Sequence, residues 1–317
     1  MHRLLTLMLA VGLGAGCAAV SNAQTLPANH EERRFTALER QIENLMLTMP
    51  GEYDNIEQLA AADPASLAPY RADNSPARVY VRIEKTERPD LAPYALRISL
   101  YRGNDRTTPI ASRLYAILPD EEAGIIRIRQ FTAQGTADEL PTVPIPDCDL
   151  VLRRDGDAMA AALASDTCAD PLTLTEFRST PDQFWLRTAE EAGGPWRYAE
   201  RARRFACMID VPAEPGAFPR VTQHYISLHD QGGEFTFTHP DGRGMLVFLR
   251  NTWSDGMYRE TFVVGILDRD YSGKTLAYAW AEPGANRIGI NPMFLRVQCD
   301  IDSPANRKLQ QNLRPNS

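Results

Sequence analysis

Val79-Tyr80-Val81-Arg82-Ile83 is the first of several stretches in which apolar residues recur at every second position. This period places successive side chains on opposite faces of a β-strand, so it is typical of strands with one buried face. The same pattern returns in three later segments, Leu96-Arg97-Ile98-Ser99-Leu100, Ile126-Arg127-Ile128-Arg129 and Cys148-Asp149-Leu150-Val151-Leu152. We therefore predict a mainly β protein.

Turn-forming residues separate these strands at short intervals, for example at Arg102-Gly103-Asn104-Asp105 and Arg154-Asp155-Gly156-Asp157. About eight or nine strands fit between Gly51 and Ala206, enough to close an antiparallel up-and-down barrel of the calyx or lipocalin-like kind. Such a barrel can hold one compact ligand in its mouth. Ala158–Leu163 is an exception to the strand pattern, and we predict a helical turn there.

A helix is predicted before the barrel. Between Glu31 and Met49 the apolar residues fall three and four positions apart, which places them on one helical face. Pro50-Gly51 ends this helix.

A second series of strands predicts a small antiparallel β domain over residues 207–302, after a barrel domain over residues 24–206. Residues 303–317 are polar, and we predict that they are disordered. The strands predicted for the second domain are 221–228, 234–238, 245–250, 259–267, 275–280 and 294–301.

Composition excludes several classes of protein. The 317 residues are 44% hydrophobic and 24% charged, which excludes a disordered chain and a disulfide-stapled miniprotein. With Lys+Arg 34 against Asp+Glu 41, the net charge is -7. A negative net charge does not favour binding to nucleic acid or to anionic lipid, so we expect no nucleic-acid partner.

The first residues predict export. Residues 1–23 combine a basic start, an apolar run from Leu4 to Leu13 and small residues up to Ala23, the plan of a secretory signal peptide. Cleavage after Ala23 would give a periplasmic protein. Alternatively, Leu13-Gly14-Ala15-Gly16-Cys17 is similar to a lipoprotein signal box. In that case Cys17 would carry a lipid and anchor the protein to the outer membrane.

The cysteines after the signal are Cys148, Cys168, Cys207 and Cys299. An even number in an exported chain predicts two disulfides, with three possible connectivities. We favour Cys148–Cys168 and Cys207–Cys299, because each pair brackets a block that has the pattern of a separate β unit. The second bond would restrict the unfolded chain by roughly 4 kcal/mol. A zinc site is the alternative, but the sequence has no Cys-x-x-Cys and no His beside a cysteine.

Several ordered motifs resemble those of one known family. Met49-Pro50-Gly51-Glu52-Tyr53-Asp54-Asn55-Ile56-Glu57-Gln58 resembles the opening of the T-type chromophore lyase (CpcT/CpeT) family, where a glycine, an aromatic residue, an asparagine and a glutamine recur in this order. Val79-Tyr80-Val81-Arg82-Ile83-Glu84 is similar to its Tyr-Val-Glu strand, and Pro93-Tyr94-Ala95-Leu96-Arg97 to its Pro-Tyr-Arg-x-Arg strand. The segment from Cys148 to Cys168 is similar to its cysteine-bounded hairpin. The resemblance covers roughly residues 49–196.

The resemblance implies a calyx-like barrel that binds an open-chain tetrapyrrole (bilin) and assists its attachment to a cysteine of an acceptor protein. No further cofactor is required. Possible partners are this acceptor and a second copy of the chain. The ligand-binding residues that the resemblance implies are Tyr53, Asn55, Gln58, Tyr94 and Arg97.

Glu84 is the catalytic residue that the resemblance implies, since a carboxyl group could protonate the tetrapyrrole. In a polar barrel interior Arg97 would pair with a propionate and Glu84 would hydrogen-bond the pyrrole nitrogens. Alternatively, both lie on the solvent face of the sheet. Tyr53, Asn55 and Gln58 would either hydrogen-bond the ligand or close the end of the barrel.

The competing function is a non-catalytic, exported ligand-binding or scaffold protein with a calyx fold, periplasmic or lipid-anchored. In either case the second domain holds three histidines that raise the question of a metal or hydrolase site. His224 and His229 are five positions apart, which places them on opposite faces of one strand, and no recognised catalytic motif surrounds them or His239. We therefore predict no metal site and interpret the histidines as surface or hairpin residues.

Overall fold

The computed structural model describes residues 36–62, 78–103, 105–132, 143–168, 170–191, 193–213, 221–254, 259–269 and 274–303. The predicted signal peptide, Cys17 and residues 304–317 of the predicted tail lie outside the described residues. Within the described ranges the chain is mainly β, as the alternating pattern predicts. No helix in those ranges is long and apolar enough to cross a membrane.

The first ten strands form a closed antiparallel barrel. Their bounds are β1 (Gly51–Asp54), β2 (Val79–Lys85), β3 (Tyr94–Arg102), β4 (Ala111–Asp120), β5 (Ile125–Thr132), β6 (Leu150–Asp155), β7 (Ala158–Leu163), β8 (Leu174–Ser179), β9 (Gln183–Thr188) and β10 (Arg197–Arg201). Each strand pairs with its neighbours in sequence, and β1 closes the ring against both β2 and β10. The predicted barrel is confirmed, with ten strands rather than eight or nine.

A capped helix contributes to the core of the barrel. This helix, α1 (Ala37–Thr48), lies where the sequence predicts it, and a short helix, α2 (Ile56–Ala62), follows β1. The backbone N–H of Glu39 donates to the Thr36 hydroxyl at 3.1 Å, and the backbone N–H of Thr36 donates to the Glu39 carboxylate at 2.9 Å. This reciprocal capping box satisfies two backbone donors at the start of the helix.

The interior of the barrel is filled with apolar side chains. Leu38, Ile42 and Leu45 of α1 belong to the same buried cluster as the inward-facing strand residues. Because strands from opposite sides of the ring meet in this cluster, the interior is a packed core. Inward-facing members include Val81, Ile83, Leu96, Ile98, Ile126, Ile128, Phe177 and Phe184.

Strand β7 shows that the prediction of a helical turn at Ala158–Leu163 is wrong. The segment pairs with β6 along its whole length and with β8 on its other side. Alanine favours a helix locally. However, an isolated helical turn is costly to nucleate, and pairing with two neighbouring strands satisfies the backbone on both sides.

The second β unit is a sandwich of two four-stranded antiparallel sheets. Its strands are β11 (Arg204–Pro212), β12 (Val221–His229), β13 (Gln231–Thr238), β14 (Gly244–Ser254), β15 (Arg259–Asp268), β16 (Lys274–Ala281), β17 (Arg287–Ile290) and β18 (Arg296–Ile301). One sheet has the order β12-β11-β18-β17 and the other β13-β14-β15-β16. Apolar residues of both sheets, among them Phe205, Val247 and Phe262, form a core that is separate from the core of the barrel.

Both predicted disulfides are present. Cys148 precedes β6 and Cys168 follows β7, so their bond joins the two ends of one hairpin. Cys207 and Cys299 are directly paired residues of β11 and β18, the first and last strands of the sandwich. Each bond therefore lies inside one β unit, as the bracketing of the sequence blocks predicts.

Candidate functional site

Asp54 and Arg78 form a fully buried ion pair where the barrel meets the sandwich. Asp54 ends β1 and Arg78 precedes β2. Arg78 Nε and Nη2 donate to the two carboxylate oxygens at 3.1 and 2.9 Å, and Arg106 Nη2 donates to the same carboxylate at 2.7 Å. The backbone N–H of Ile56 adds a hydrogen bond at 3.0 Å. The buried carboxylate is thus compensated by both charge and hydrogen bonds, as a buried ion requires.

Arg78 also ties the barrel to the sandwich. Its Nη2 donates to the backbone carbonyls of Gln231 and Gly232, both at 3.2 Å, at the start of β13. Gly232 has φ +80°, and a Cβ there would lie 2.7 Å from Arg78 Nη2 and 2.6 Å from Ile56 Cδ1. Glycine is therefore required for this close approach. The contact fixes the start of β13 against the barrel.

A groove of about 640 Å³ lies beside this junction, between the outer face of the barrel and the sandwich. The barrel lines it with Tyr80 and Arg82 of β2 and with Arg106 from the β3–β4 connection. The sandwich lines it with Arg204 of β11 and with residues 227–229 and 232–236, where β12 leads into β13. Its volume lies within the usual range of small-molecule sites, about 300–1,000 Å³.

Arginines give the groove its electrostatic character. Arg82 Nε lies 3.3 Å from Glu52 Oε1, and Arg204 Nε donates to Glu52 Oε2 at 2.8 Å. The Arg106 guanidinium lies over the Tyr80 ring, 4.1 Å from its centre. Burial raises the pKa of Glu52, but hydrogen bonds from Arg204 and Tyr80 and the charges of Arg204 and Arg82 outweigh burial and leave this pKa below its ordinary 4.5. Glu52 therefore stays ionised beside the groove.

His229 lines the groove from the sandwich side. Its half-buried ring lies 5.6 Å from the Tyr80 ring, measured between ring centres. Burial lowers the pKa of His229 well below its ordinary 6.5, and the positive charges of Arg106, Arg78 and Arg204 lower this pKa further. The imidazole is therefore neutral near pH 7, with one nitrogen that donates and one that accepts. Its Nδ1 is buried and has no hydrogen-bond partner among the described residues.

Tyr53, Asn55 and Gln58 hold together the strands at the start of the barrel. Tyr53 is fully buried, and its hydroxyl donates to the Met49 carbonyl at 2.7 Å. Asn55 Oδ1 accepts from the backbone N–H of Val79 at 2.7 Å. Gln58 bonds the backbone around the start of β10 through its amide nitrogen at 2.7 Å and its amide oxygen at 2.9 Å. All three residues thus bond the backbone of the protein itself, and a role in binding a ligand stays a prediction.

Glu84 and Arg97 lie on the outer face of the barrel, which is the second of the two alternatives that the sequence leaves open, and not in a polar interior. They are directly opposite each other on β2 and β3. Ile83 and the other alternate residues fill the interior, and burying a charge in that apolar core would be costly. Glu84 follows Arg82 on the outer face, about 7 Å along the strand. The fifth predicted contact, Tyr94, is partly buried against the interior cluster.

The other two described histidines have structural surroundings. The ring of His224 lies 5.5 and 5.6 Å from the rings of Phe235 and Phe237, measured between ring centres. His239 follows β13 in the hairpin to β14, but it is buried, and its Nε2 lies 3.2 Å from the Phe294 carbonyl. In the described part of the chain, no group of three or more His, Cys, Asp or Glu side chains could hold a metal ion.

No pattern in the sequence identifies Arg82, Arg106 or Arg204 as site residues. The chain contains many arginines, and these three lie too far apart in the sequence to form a motif. The pairing of β2 with β1 and the start of β11 directly after β10 bring these distant positions together. The sequence places His229 directly after a predicted strand, but no pattern in the sequence indicates that its side chain faces arginines.

Two carboxyl groups at the same junction have raised pKa values. Burial raises the pKa of Glu57 on α2 to about 7; a hydrogen bond from Gln231 opposes this shift, and the charge of Glu260 adds to it. Burial also raises the pKa of Glu200 on β10 to about 7, and the charge of Glu57 raises it further. Glu57 Oε1 is buried and has no hydrogen-bond partner among the described residues. Each of the two carboxyl groups therefore titrates near neutral pH.

No protein-family model matches this chain, and no curated protein matches it significantly. The resemblance to the T-type chromophore lyase family stays a prediction from short motifs.

Replacing Glu57 with Gln should flatten the pH dependence of stability. A carboxyl group with a pKa of about 7 in the folded protein and 4.5 ordinarily stabilises the fold fully below pH 4.5, and this contribution is lost as the pH rises to about 7. Glutamine does not ionise. The difference between the free energies of unfolding at pH 5 and pH 8 should therefore shrink by up to about 3 kcal/mol, measured by urea titration.

Glu121→Gln, in an exposed turn, is the control and should keep the wild-type pH dependence. If E57Q loses stability between pH 5 and pH 8 as steeply as the wild type, the Glu57 carboxyl group is not the source of this pH dependence.

Proposed function

We propose that the protein binds a small acidic ligand in the groove between the barrel and the sandwich. The observation that carries this proposal is the convergence of Arg82, Arg106, Arg204 and the neutral His229 on one cavity. Arginine suits carboxylates and phosphates, because its planar guanidinium can donate two parallel hydrogen bonds. The function is thus that of a ligand-binding protein, with the barrel as its scaffold.

The charge balance around the groove supports an anionic ligand. Among the described residues, the groove itself is lined by three arginines, Arg82, Arg106 and Arg204, and by one carboxylate, Glu234. The side chains of Arg82 and Arg204 are 28% and 47% exposed, so solvent screens their pairs with Glu52. An incoming carboxylate can therefore compete for both guanidinium groups.

The apolar part of the groove supports a flat ligand. Tyr80 lines the barrel side and Phe235 the sandwich side. Pockets of this kind hold an apolar body between rings and fix its orientation with a few polar groups. An open-chain tetrapyrrole, which the family resemblance implies, belongs to this class, because it is a conjugated molecule with two propionates. The two disulfides are compatible with the predicted export, since such bonds persist in oxidising compartments.

Arg82→Gln and Arg204→Gln should each weaken the binding of biliverdin about tenfold, or about 1.4 kcal/mol, because each removes a charge-assisted hydrogen bond. Absorbance titration measures the Kd. Biliverdin dimethyl ester, which lacks free carboxylates, is the matched ligand control and should bind both variants and the wild type equally weakly.

Arg287→Gln is the control variant, since Arg287 is 70% exposed on β17 and pairs with Asp300. It should bind biliverdin like the wild type. The groove is not the site if R82Q and R204Q both keep the wild-type Kd.

A chromophore lyase is the second candidate. It is supported by the antiparallel barrel and the cysteine-bounded hairpin that the resemblance implies, and by the position of Glu84 beyond Arg82 on the outer face of β2. In this reaction the thiolate of the acceptor cysteine adds to an exocyclic double bond of the bilin. The S–C bond forms, the C=C bond is lost, and the neighbouring carbon takes up a proton, so nothing is oxidised. Glu84 would supply that proton, while the groove holds the bilin in position.

Co-expression with a bilin and an acceptor subunit tests the lyase. A covalent adduct on the acceptor, measured by mass spectrometry, is the expected product, and Glu84→Gln should slow its formation about 100-fold without changing the Kd for biliverdin. Biliverdin binding without any adduct on the acceptor would reject the lyase and agree with a protein that only binds the ligand.

A further inference from the structure

A second cavity, of about 680 Å³, lies on the barrel over β6, β7 and β8. It has no lining residue in common with the groove. Ala160 and Ala162 of β7 form part of its floor, Arg153 of β6 and Arg178 of β8 stand on either side, and Trp196 lines it as well. We name these five residues the arginine trough.

Strand register brings the two arginines of the trough together. Ala160 pairs directly with Arg153 on one side and with Arg178 on the other. Neighbouring strands lie about 4.8 Å apart, so the two arginine Cα atoms are separated by about 10 Å across the alanine. The methyl group of Ala160 leaves the space between them open. Both guanidinium groups can therefore reach one anion above Ala160.

Neither arginine is committed to a strong ion pair. Arg153 is exposed and makes no ion pair or hydrogen bond with any residue in the described part of the chain. Arg178 Nη1 lies 3.2 Å from Asp155 Oδ2, but the two side chains are 42% and 61% exposed. An exposed pair of this kind contributes little, so an incoming anion can replace Asp155. The chain has a net charge of -7, whereas this cavity is lined by three arginines, Arg153, Arg154 and Arg178, and by two carboxylates, Asp155 and Glu176.

Aromatic rings adjoin the trough at one side. Trp196 is half-buried, and the Arg187 guanidinium lies over its ring at 4.4 Å. The ring of Trp185 meets it edge-on at 6.4 Å between ring centres, and Arg178 lies 6.0 Å from the centre of the Trp185 ring. Guanidinium groups and indole rings therefore alternate across this face, and a ring-shaped ligand can meet both.

The topology argues against a peptide strand as the ligand. Strands β6, β7 and β8 are each paired on both sides within the closed ring. A peptide that adds to a sheet needs an open edge with free backbone groups. The cavity instead presents side chains: the two cations, small methyl groups and indole of the trough, and beside them Arg154 and the carboxylates of Asp155 and Glu176. The residues of the trough fit a ring that has an apolar face and carries a carboxylate or a sulfate.

We propose that the arginine trough binds an acidic sugar residue of a glycan chain. The anionic group lies between Arg153 and Arg178, and the ring rests on the methyl group of Ala162 beside Trp196. This site is separate from the ligand groove, so either one can be present without the other. A uronate and a sulfated sugar both have the required chemistry, and the experiment distinguishes them.

Titration with defined oligosaccharides tests this site, followed by calorimetry or by tryptophan fluorescence. The probes are a hexamer of galacturonic acid, a sulfated oligosaccharide of the same length and a neutral glucan hexamer. The wild type should bind at least one acidic chain at least tenfold more tightly than the neutral one, and the tighter acidic chain identifies the anionic group. The double variant Arg153→Gln/Arg178→Gln should lose at least tenfold in affinity for that chain.

Arg287→Gln is again the matched control and should bind the acidic chain like the wild type, because it removes an exposed arginine of the sandwich. The proposal is overturned if the neutral glucan binds as tightly as both acidic chains, or if the double variant, folded by circular dichroism, binds like the wild type. It is also overturned if poly-glutamate of equal charge binds as tightly as the acidic glycan, because the trough would then select charge alone.

Discussion

The buried ion pair of Asp54 and Arg78 is the contact on which the rest of this structure depends. Removing one partner of such a pair would leave an uncompensated buried charge, at a cost of about 3–5 kcal/mol. Here the carboxylate also receives Arg106, and Arg78 reaches the backbone of Gln231 and Gly232. The Asp54 carboxylate thus joins the end of β1 to Arg78 before β2 and to Arg106 between β3 and β4. Arg78 in turn joins the barrel to the start of β13. The groove lies directly beside this contact, so its walls are positioned by it.

The packed interior of the barrel determines where chemistry can take place. Apolar residues from α1 and from strands on all sides fill the space that an open calyx would offer to a ligand. Polar and charged side chains are therefore displaced to the outer face, where Arg82 and Glu84 follow each other on β2. The sandwich covers part of that face and adds Arg204 and His229. Both proposed binding sites consequently use the barrel as a scaffold and its outer surface for recognition.

Local patterns predict much of the fold. Alternation predicts the β class and most strands, three- and four-residue spacing predicts α1, and the bracketing of sequence blocks predicts both disulfides. The failure at Ala158–Leu163 has a physical cause, since strand pairing from both sides overrides the helical preference of alanine. Glu84 and its neighbour Ile83 lie on opposite faces of β2, which follows from the same alternation. Of the two orientations that the sequence leaves open for Glu84, the solvent-facing one is observed, because the apolar face, and not the polar one, forms the interior.

The candidate site could not be predicted in the same way. Tyr53, Asn55 and Gln58 stand in a recognisable motif, yet their polar atoms bond the backbone and neighbouring side chains. The groove is assembled by tertiary contacts between positions as distant as Arg82 and Arg204, and its neutral histidine depends on burial and on arginines from three separate segments. No periodicity in the sequence encodes such a convergence. It becomes visible only once the barrel is closed and the sandwich is placed on it.

The pKa of His229, measured by NMR with and without biliverdin, tests the ligand groove most directly. In the free protein burial and the arginines hold this pKa well below 6.5. A bound carboxylate among Arg82, Arg106 and Arg204 would add negative charge near the ring and favour its protonated form. We expect the pKa of His229, assigned with His229→Gln, to rise by at least about one unit at saturation. Saturating biliverdin that leaves this pKa unchanged would contradict a ligand site in the groove.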